Sequence, residues 1–171
     1  MEELKRRIRH IPDFPKPGIL FYDVTTLLKD REGFQMAISA MAAPHQDAGV
    51  DLIVGIESRG FIFGSALADR LNTGFAPVRK LGKLPSATRR AVYALEYGSD
   101  SLEIHEDAAG AGQRVLIVDD LLATGGTAAA TVGLIKGLGA KVVGLQFLIE
   151  LSALGGRAKL EGENIGTVLV Y

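Results

Sequence analysis

Residues 115–132 read VLIVDDLLATGGTAAATV, and much of the architecture follows from them. An apolar, β-branched run passes through two adjacent carboxylates, Asp119 and Asp120, to a Thr-Gly-Gly-Thr turn at 124–127 and then to a helix-forming segment. A short apolar run bounded by turn residues reads as a strand buried on both faces, and its immediate turn into a helix marks a parallel βα unit. Ligands of open parallel sheets settle outside the carboxyl ends of the strands. Gly125 and Gly126 permit close backbone approach there, and the free amides and dipole of the helix start favour an anion. Thr124 and Thr127 add hydroxyl donors, with Ala123 leading into the turn.

This run lacks both the Gly-Lys-Ser/Thr ending of a nucleoside triphosphate loop and the three-glycine dinucleotide fingerprint, so one phosphate monoester fits it best. A carboxylate about 4 Å from that phosphate would be repelled by about 4 kcal/mol at an effective dielectric of about 20. Asp119 and Asp120 are therefore expected to face hydroxyls or a metal ion. A phosphate cradle beside two hydroxyl-binding carboxylates outlines a ribose 5-phosphate site, whereas the turn without its carboxylates would be an ordinary junction capped by threonine.

On the N-terminal side, DLIVGI (Asp51 to Ile56) reads as a second buried strand, Phe61 to Leu71 as its helix, and Phe75 to Lys80 as another strand. Phe34, Ile38 and Met41 recur at helical spacing, predicting a helix from Phe34 to Ala43 that ends at Pro44. On the C-terminal side a helix is expected over Thr127 to Leu138, a strand over Val142 to Ile149, a short helix over Leu154 to Leu160 and a strand over Thr167 to Val170. The strong strand itself is placed at Arg114 to Val118. Such alternation implies an α/β fold with a doubly wound, mainly parallel sheet. Two segments depart from the alternation. Residues 11–18 hold three prolines and read as an extended arm, and residues 81–105 read as a lid-like excursion with a hairpin of about Val92 to Glu96 against Leu102 to His105.

A length of 171 residues suits a single domain. With 47% hydrophobic and 23% charged residues, the chain can bury a real core. The balance of 19 basic against 20 acidic residues argues against nucleic-acid binding by overall charge. No apolar run is long enough for a membrane span and the start lacks a signal-peptide centre, so the expected location is the cytoplasm. Zero cysteines exclude disulfides and thiolate chemistry, and His10, His45 and His105 are scattered, without metal-ligand spacing.

Three further groups of residues carry candidate chemistry. Ser58, Arg59 and Gly60 of GIESRGF follow a buried strand, where loop amides and a guanidinium can grip an anion. Arg79, Lys80 and Lys83 form a local basic cluster. Leu20, Phe21 and Tyr22 offer an aromatic face and main-chain hydrogen-bonding groups, with Leu121 expected opposite Phe21.

VLIVDDLLATGGT resembles the signature of the type I phosphoribosyltransferases. PDFPKPGILFYD, ESRGF, VRKLGKLP and LEYG are similar, in the same order, to the members of that family that use adenine. The resemblance, which covers about residue 10 to 171, implies adenine and phosphoribosyl pyrophosphate as substrates and AMP and pyrophosphate as products, a reaction of purine salvage. It implies Mg²⁺ held mainly through the substrate, with Asp119 and Asp120 as its protein contacts, and a homodimer in which Arg79 reaches the partner's site. It further implies Ser58, Arg59, Arg79, Lys80 and Lys83 as contacts of the pyrophosphate group, Leu20, Phe21, Tyr22 and Leu121 as adenine contacts, a base-binding hood over residues 1–33, a flexible lid over 81–100, Glu96 as a proton-handling group and Tyr97 as a lid residue over the sugar. The family position matching Tyr22 is often basic, so tyrosine departs from the pattern. A transferase for xanthine or hypoxanthine, and a regulator that binds phosphoribosyl pyrophosphate without turnover, remain as alternatives. The regulator is disfavoured by its need for a nucleic-acid-binding segment, for which only KRRIR at 5–9 is available.

Overall fold

The chain begins with a short helix, α1 (Glu2–Arg6), and an antiparallel strand pair, β1 (Arg9–Pro12) and β2 (Leu20–Asp23), with Ile11 opposite Phe21 and His10 opposite Tyr22. The computed structural model describes residues 1–94 and 99–171, which divide into two units, 1–40 and 41–171. In the first unit the proline-rich segment is a hairpin rather than an open arm. Asp13 takes the left-handed conformation (φ 58°) that short polar side chains tolerate. Its Oδ1 accepts the Gly18 amide at 2.7 Å, turning the chain back on itself. Helix α2 (Thr25–Leu28) follows, then α3 (Arg31–Ala42), which starts three residues before the predicted Phe34. The early start reflects Asp30, whose Oδ1 accepts the Gly33 amide at 2.6 Å as a helix cap.

Asp23 ties β2 to α2, accepting the Thr25 amide at 2.9 Å on one oxygen and Arg9 Nε at 2.9 Å on the other. The Thr25 hydroxyl and then Arg9 hold its carboxyl down at about 2. A carboxyl depressed by folding contributes fully above its unfolded value and loses that contribution as pH falls through the folded one. Asp23→Asn is expected to lower the melting temperature at neutral pH by roughly 2 to 8 °C, about 1–2 kcal/mol. Melting curves against pH should show the gap closing between about pH 4 and pH 2; a gap constant across that window would contradict the assignment.

The second unit carries β3 (Leu52–Ile56), α4 (Gly60–Leu71), β4 (Gly74–Lys80), β5 (Thr88–Ala94), β6 (Ser99–His105), β7 (Arg114–Leu122), α5 (Gly126–Gly137), β8 (Lys141–Glu150) and β9 (Ile165–Val170). Its seven-stranded sheet has the order β5-β6-β4-β3-β7-β8-β9. The five strands from β4 to β9 in that order are parallel, while β6 runs antiparallel to both β4 and β5. Every residue of β3 is buried, as its continuous apolar run requires. Val54, Ile117 and Phe147 of the sheet share one core with Val132 and Ile135 of α5. Among the described residues, no helix is long and apolar enough to cross a membrane.

Three further differences from the sequence reading lie in the second unit. Strand β7 continues past Val118 to Leu122, so the carboxylate pair lies inside the strand. The hairpin starts at Thr88 rather than about Val92, and β6 is hydrogen-bonded to β4, with Leu102 and Ile104 buried. It is the edge of the main sheet, not an excursion from it. The short helix expected over Leu154 to Leu160 is two 3-10 turns, Ser152–Leu154 and Gly156–Leu160, separated by Gly155 at φ 64°.

Candidate active site

Strands β3 and β7 are neighbours, with Gly55 opposite Val118, so the turns that leave their carboxyl ends are brought together. The ESRGF turn opens α4 and the DDLLATGGT turn opens α5. Gly60 makes this meeting close: a β-carbon there would come within 2.8 Å of Asp119 Oδ1 and 2.9 Å of the Val118 carbonyl. Arg59 Nε donates to Asp120 Oδ2 across the junction, and the Glu57–Ser58 peptide is cis.

The junction floors an open cleft of about 480 Å³, lined by Ser58, Arg59, Lys80, Asp119, Asp120, Leu121, Ala123 and Thr127 together with Glu57. Eight predicted site residues, drawn from three separate sequence motifs, thus share one cavity. A narrower pocket of about 80 Å³ adjoins it, walled by residues 121–128, Asp119 and Phe147. Thr124, Gly125 and Gly126 line this second space, with Ala123 and Thr127 common to both. Gly125, at φ 78°, caps α5 without a side-chain hydrogen bond of its own. Among the described residues no side chain caps this helix start, whose first-turn amides, without partners inside the helix, are what an anion needs.

Burial first, and then the neighbouring Asp120 charge, push the Asp119 carboxyl well above the ordinary carboxylate range. Its Oδ1 accepts the Asp120 amide at 2.8 Å. Two adjacent acids with one guanidinium between them form a site that gains from added hydroxyl donors or cations. Lys80 Nζ lies 2.6 Å from Asp100 Oδ2, and this hydrogen bond raises the Lys80 pKa, keeping a cation on the cleft wall.

Other predicted residues lie elsewhere. Arg79 is not on the cleft lining; its Nε donates to Glu57 Oε2 at 3.2 Å and its guanidinium stands 6.0 Å over the Phe61 ring. Lys83 is exposed at the turn after β4 and is likewise off the lining. Leu20, Phe21 and Tyr22 form most of β2 in the first unit, where Phe21 packs edge-on against Phe14 at 5.2 Å and Tyr22 against His10 at 5.0 Å. Glu96 and Tyr97 fall outside the described residues.

Sequence reasoning missed three residues that shape the site. Glu57 accepts both Arg79 Nε and the Lys80 amide, the latter at 2.9 Å, and so joins the two basic-cluster residues to the ESRGF turn. Glu103, buried in β6, accepts the Lys83 and Leu84 amides at 3.0 and 3.1 Å and pins the start of the segment expected to act as a lid. Gly156 backs the glycine turn. Only the Gly-Gly pair at 155–156 could have signalled it, and such a pair reads equally well as a plain loop.

Residues 23–162 match the phosphoribosyl transferase domain family, and the chain belongs to that family. A protein from Symbiobacterium thermophilum named adenine phosphoribosyltransferase is 60% identical over 169 residues, covering 99% of each chain. The crystal structure of adenine phosphoribosyltransferase from Rhodothermus marinus aligns with a TM-score of 0.95 at 51% identity, over 99% of this chain and 97% of that one. Adenine phosphoribosyltransferase from Saccharomyces cerevisiae, complexed with D-2,5-dideoxy-2,5-imino-altritol 1,6-bisphosphate and adenine, aligns with a TM-score of 0.94 at 45% identity, over 98% and 97% of the two chains.

Proposed function

We propose that this chain is an enzyme that transfers the 5-phosphoribosyl group of phosphoribosyl pyrophosphate to adenine, giving AMP and pyrophosphate in purine salvage. The observation that carries this reading is an anion cradle at 123–127 adjoining a cleft that holds a carboxylate pair and a cationic wall of Arg59 and Lys80. These match, in order, the 5-phosphate, the ribose hydroxyls and the pyrophosphate. The name borne by the relatives, and the yeast enzyme's complex with both a bisphosphate and adenine, support the choice of base.

Amides of residues 123–127 and the Thr124 and Thr127 hydroxyls hold the 5-phosphate. Asp119 and Asp120 accept from the ribose hydroxyls. The bond from the anomeric carbon to pyrophosphate breaks, its electron pair leaving with pyrophosphate. An imidazole nitrogen of adenine forms the new bond from the opposite face, with inversion, and the imidazole proton passes to Glu96, the residue assigned to proton handling. Arg59, Lys80 and Ser58 stabilise the departing charge, so positioning and electrostatics supply most of the rate. Leu20, Phe21 and Tyr22 are assigned to adenine by the family resemblance, and Leu121 lines the cleft.

Among the described residues no three His, Asp or Glu side chains cluster as a metal cage. Two adjacent carboxylates do fit Mg²⁺ carried on the pyrophosphate, since that ion is commonly held by one or two carboxylates plus substrate phosphates. Bound there, it neutralises charge on the leaving group. A homodimer belongs to the same proposal: Arg79 does not line its own cleft and is assigned, with Lys83, to pyrophosphate contacts, Arg79 reaching the partner's site. So does a cytoplasmic location, since a chain without cysteine needs no oxidising compartment.

Incubation with phosphoribosyl pyrophosphate, Mg²⁺ and adenine should release pyrophosphate and consume adenine one for one; no consumption would overturn the proposal. Arg59→Ala should raise KM for phosphoribosyl pyrophosphate and the inhibition constant of pyrophosphate by roughly 10- to 100-fold, the worth of one or two charge-assisted hydrogen bonds. Steady-state kinetics should show KM for adenine unchanged. Unaltered pyrophosphate inhibition would remove Arg59 from that role.

A further inference from the structure

We infer that Glu150 and Arg157 are positioning residues for the phosphate cradle, acting on it through the backbone of Gly156. The inference rests on the reading of residues 123–127 as the seat of the 5-phosphate. Gly125 and Gly156 lie backbone to backbone. A β-carbon on Gly125 would meet the Gly156 carbonyl oxygen and come within 3.1 Å of its carbonyl carbon. A β-carbon on Gly156 would meet the Ala123 carbonyl and come within 3.1 Å of the Gly125 nitrogen. No side chain fits between the two segments, so the position of the turn at 156–160 sets the position of the loop at 123–127.

That turn is a single 3-10 stretch without a side-chain cap, and its own backbone holds it weakly. Arg157 supplies the hold. Its Nε donates to Glu150 Oε1 at 2.7 Å and its Nη2 to Oε2 at 2.7 Å, a two-pronged pairing that fixes direction as well as distance. Thr167 of β9 donates its hydroxyl to the same Oε2 at 3.0 Å. Arg157, and then Thr167, hold the Glu150 carboxyl below the ordinary range, in keeping with a permanently ionised anchor.

The anchor's own location completes the argument. Glu150 ends β8 directly opposite Leu122, the last residue of β7, and the Leu151 amide donates to the Leu122 carbonyl at 2.9 Å. The loop springs from Leu122 and the turn behind it is tied to Glu150. Both walls of the cradle are thereby referenced to one rung of the sheet. The Arg157 side chain is 48% exposed and that of Glu150 10%, so the pair ties a surface guanidinium to a buried carboxylate at the end of the strand. Geometry is what this pair supplies.

The test compares ligands with and without a phosphate on the full chain. In Glu150→Gln and Arg157→Ala the Kd for ribose 5-phosphate and the KM for phosphoribosyl pyrophosphate should rise roughly tenfold, the scale on which supporting residues act on the groups they orient. KM for adenine and kcat at saturation should stay within about twofold. The double variant should lose no more than the worse single one, because the two act as a unit. Arg157→Lys, which keeps charge but not the fork, should recover only part of the loss. Unchanged ribose 5-phosphate affinity in folded variants would overturn the inference, as would equal losses for adenine and phosphate ligands, which mark general loosening. Should Glu150→Gln fail to fold, Arg157→Lys and Thr167→Val carry the same comparison, with a smaller selective loss expected and no loss overturning it. A parent chain that does not bind ribose 5-phosphate at all would instead remove the reading of 123–127, a result distinguishable from failure of the variants.

Discussion

Asp120→Asn should cut kcat/KM for phosphoribosyl pyrophosphate by roughly 10²- to 10³-fold, about 3 to 4 kcal/mol of transition-state stabilisation. Asp120 is 5% exposed and lines the cleft beside Asp119 and Glu57, and Glu57 is already engaged by Arg79 and the Lys80 amide. Burial and the Asp120 charge hold the Asp119 carboxyl above the ordinary carboxylate range. An amide in its place donates where the ribose hydroxyls also donate. The fold should tolerate the change. Removing one partner of a buried ion pair costs about 3–5 kcal/mol when the other is left buried. The Arg59 side chain is 42% exposed and can turn to water. Activity lost with the melting temperature nearly unchanged is the expected signature; kcat/KM within a few-fold of the parent would contradict the ribose assignment.

Gly125→Val is expected to have the second largest effect. The residue sits at φ 78°, where a side chain costs about 1–2 kcal/mol. Its β-carbon would also fall on the Gly156 carbonyl, which is backbone and cannot swing aside. The loop at 123–127 must therefore rebuild, and its amides lose their common focus. Calorimetric titration should show ribose 5-phosphate binding weakened by roughly 100-fold or more, the loss of two or more phosphate hydrogen bonds. Melting should fall by at least roughly 2 to 8 °C from the backbone strain alone. Retained phosphate affinity would mean that residues 123–127 are not the cradle.

The parts legible in the sequence are those governed by local rules. Buried strands such as Leu52–Ile56 announce themselves as apolar runs, and the Gly-Gly turn at 125–126 announces an anion site by residue type and spacing. What remained hidden depends on distant partners. Strand β7 was expected to stop at the first aspartate, yet ladder pairing with β8 carries it to Leu122. The hairpin looked like an excursion because β5 is rich in exposed polar residues, although its second strand buries Leu102 and Ile104. Gly156 and Glu150 matter through close approach to residues some thirty positions earlier, which no local pattern encodes. The hairpin at 9–23 was obscured by its prolines, since the turn depends on one aspartate side chain reaching Gly18.

Adenine, hypoxanthine, guanine and xanthine should each be offered separately with phosphoribosyl pyrophosphate and Mg²⁺, and the products separated by chromatography. The account predicts AMP and pyrophosphate from adenine and no nucleotide from the other three. Turnover of another base in preference to adenine would contradict it while leaving the phosphate cradle in place. Binding of phosphoribosyl pyrophosphate without turnover of any base would contradict it outright.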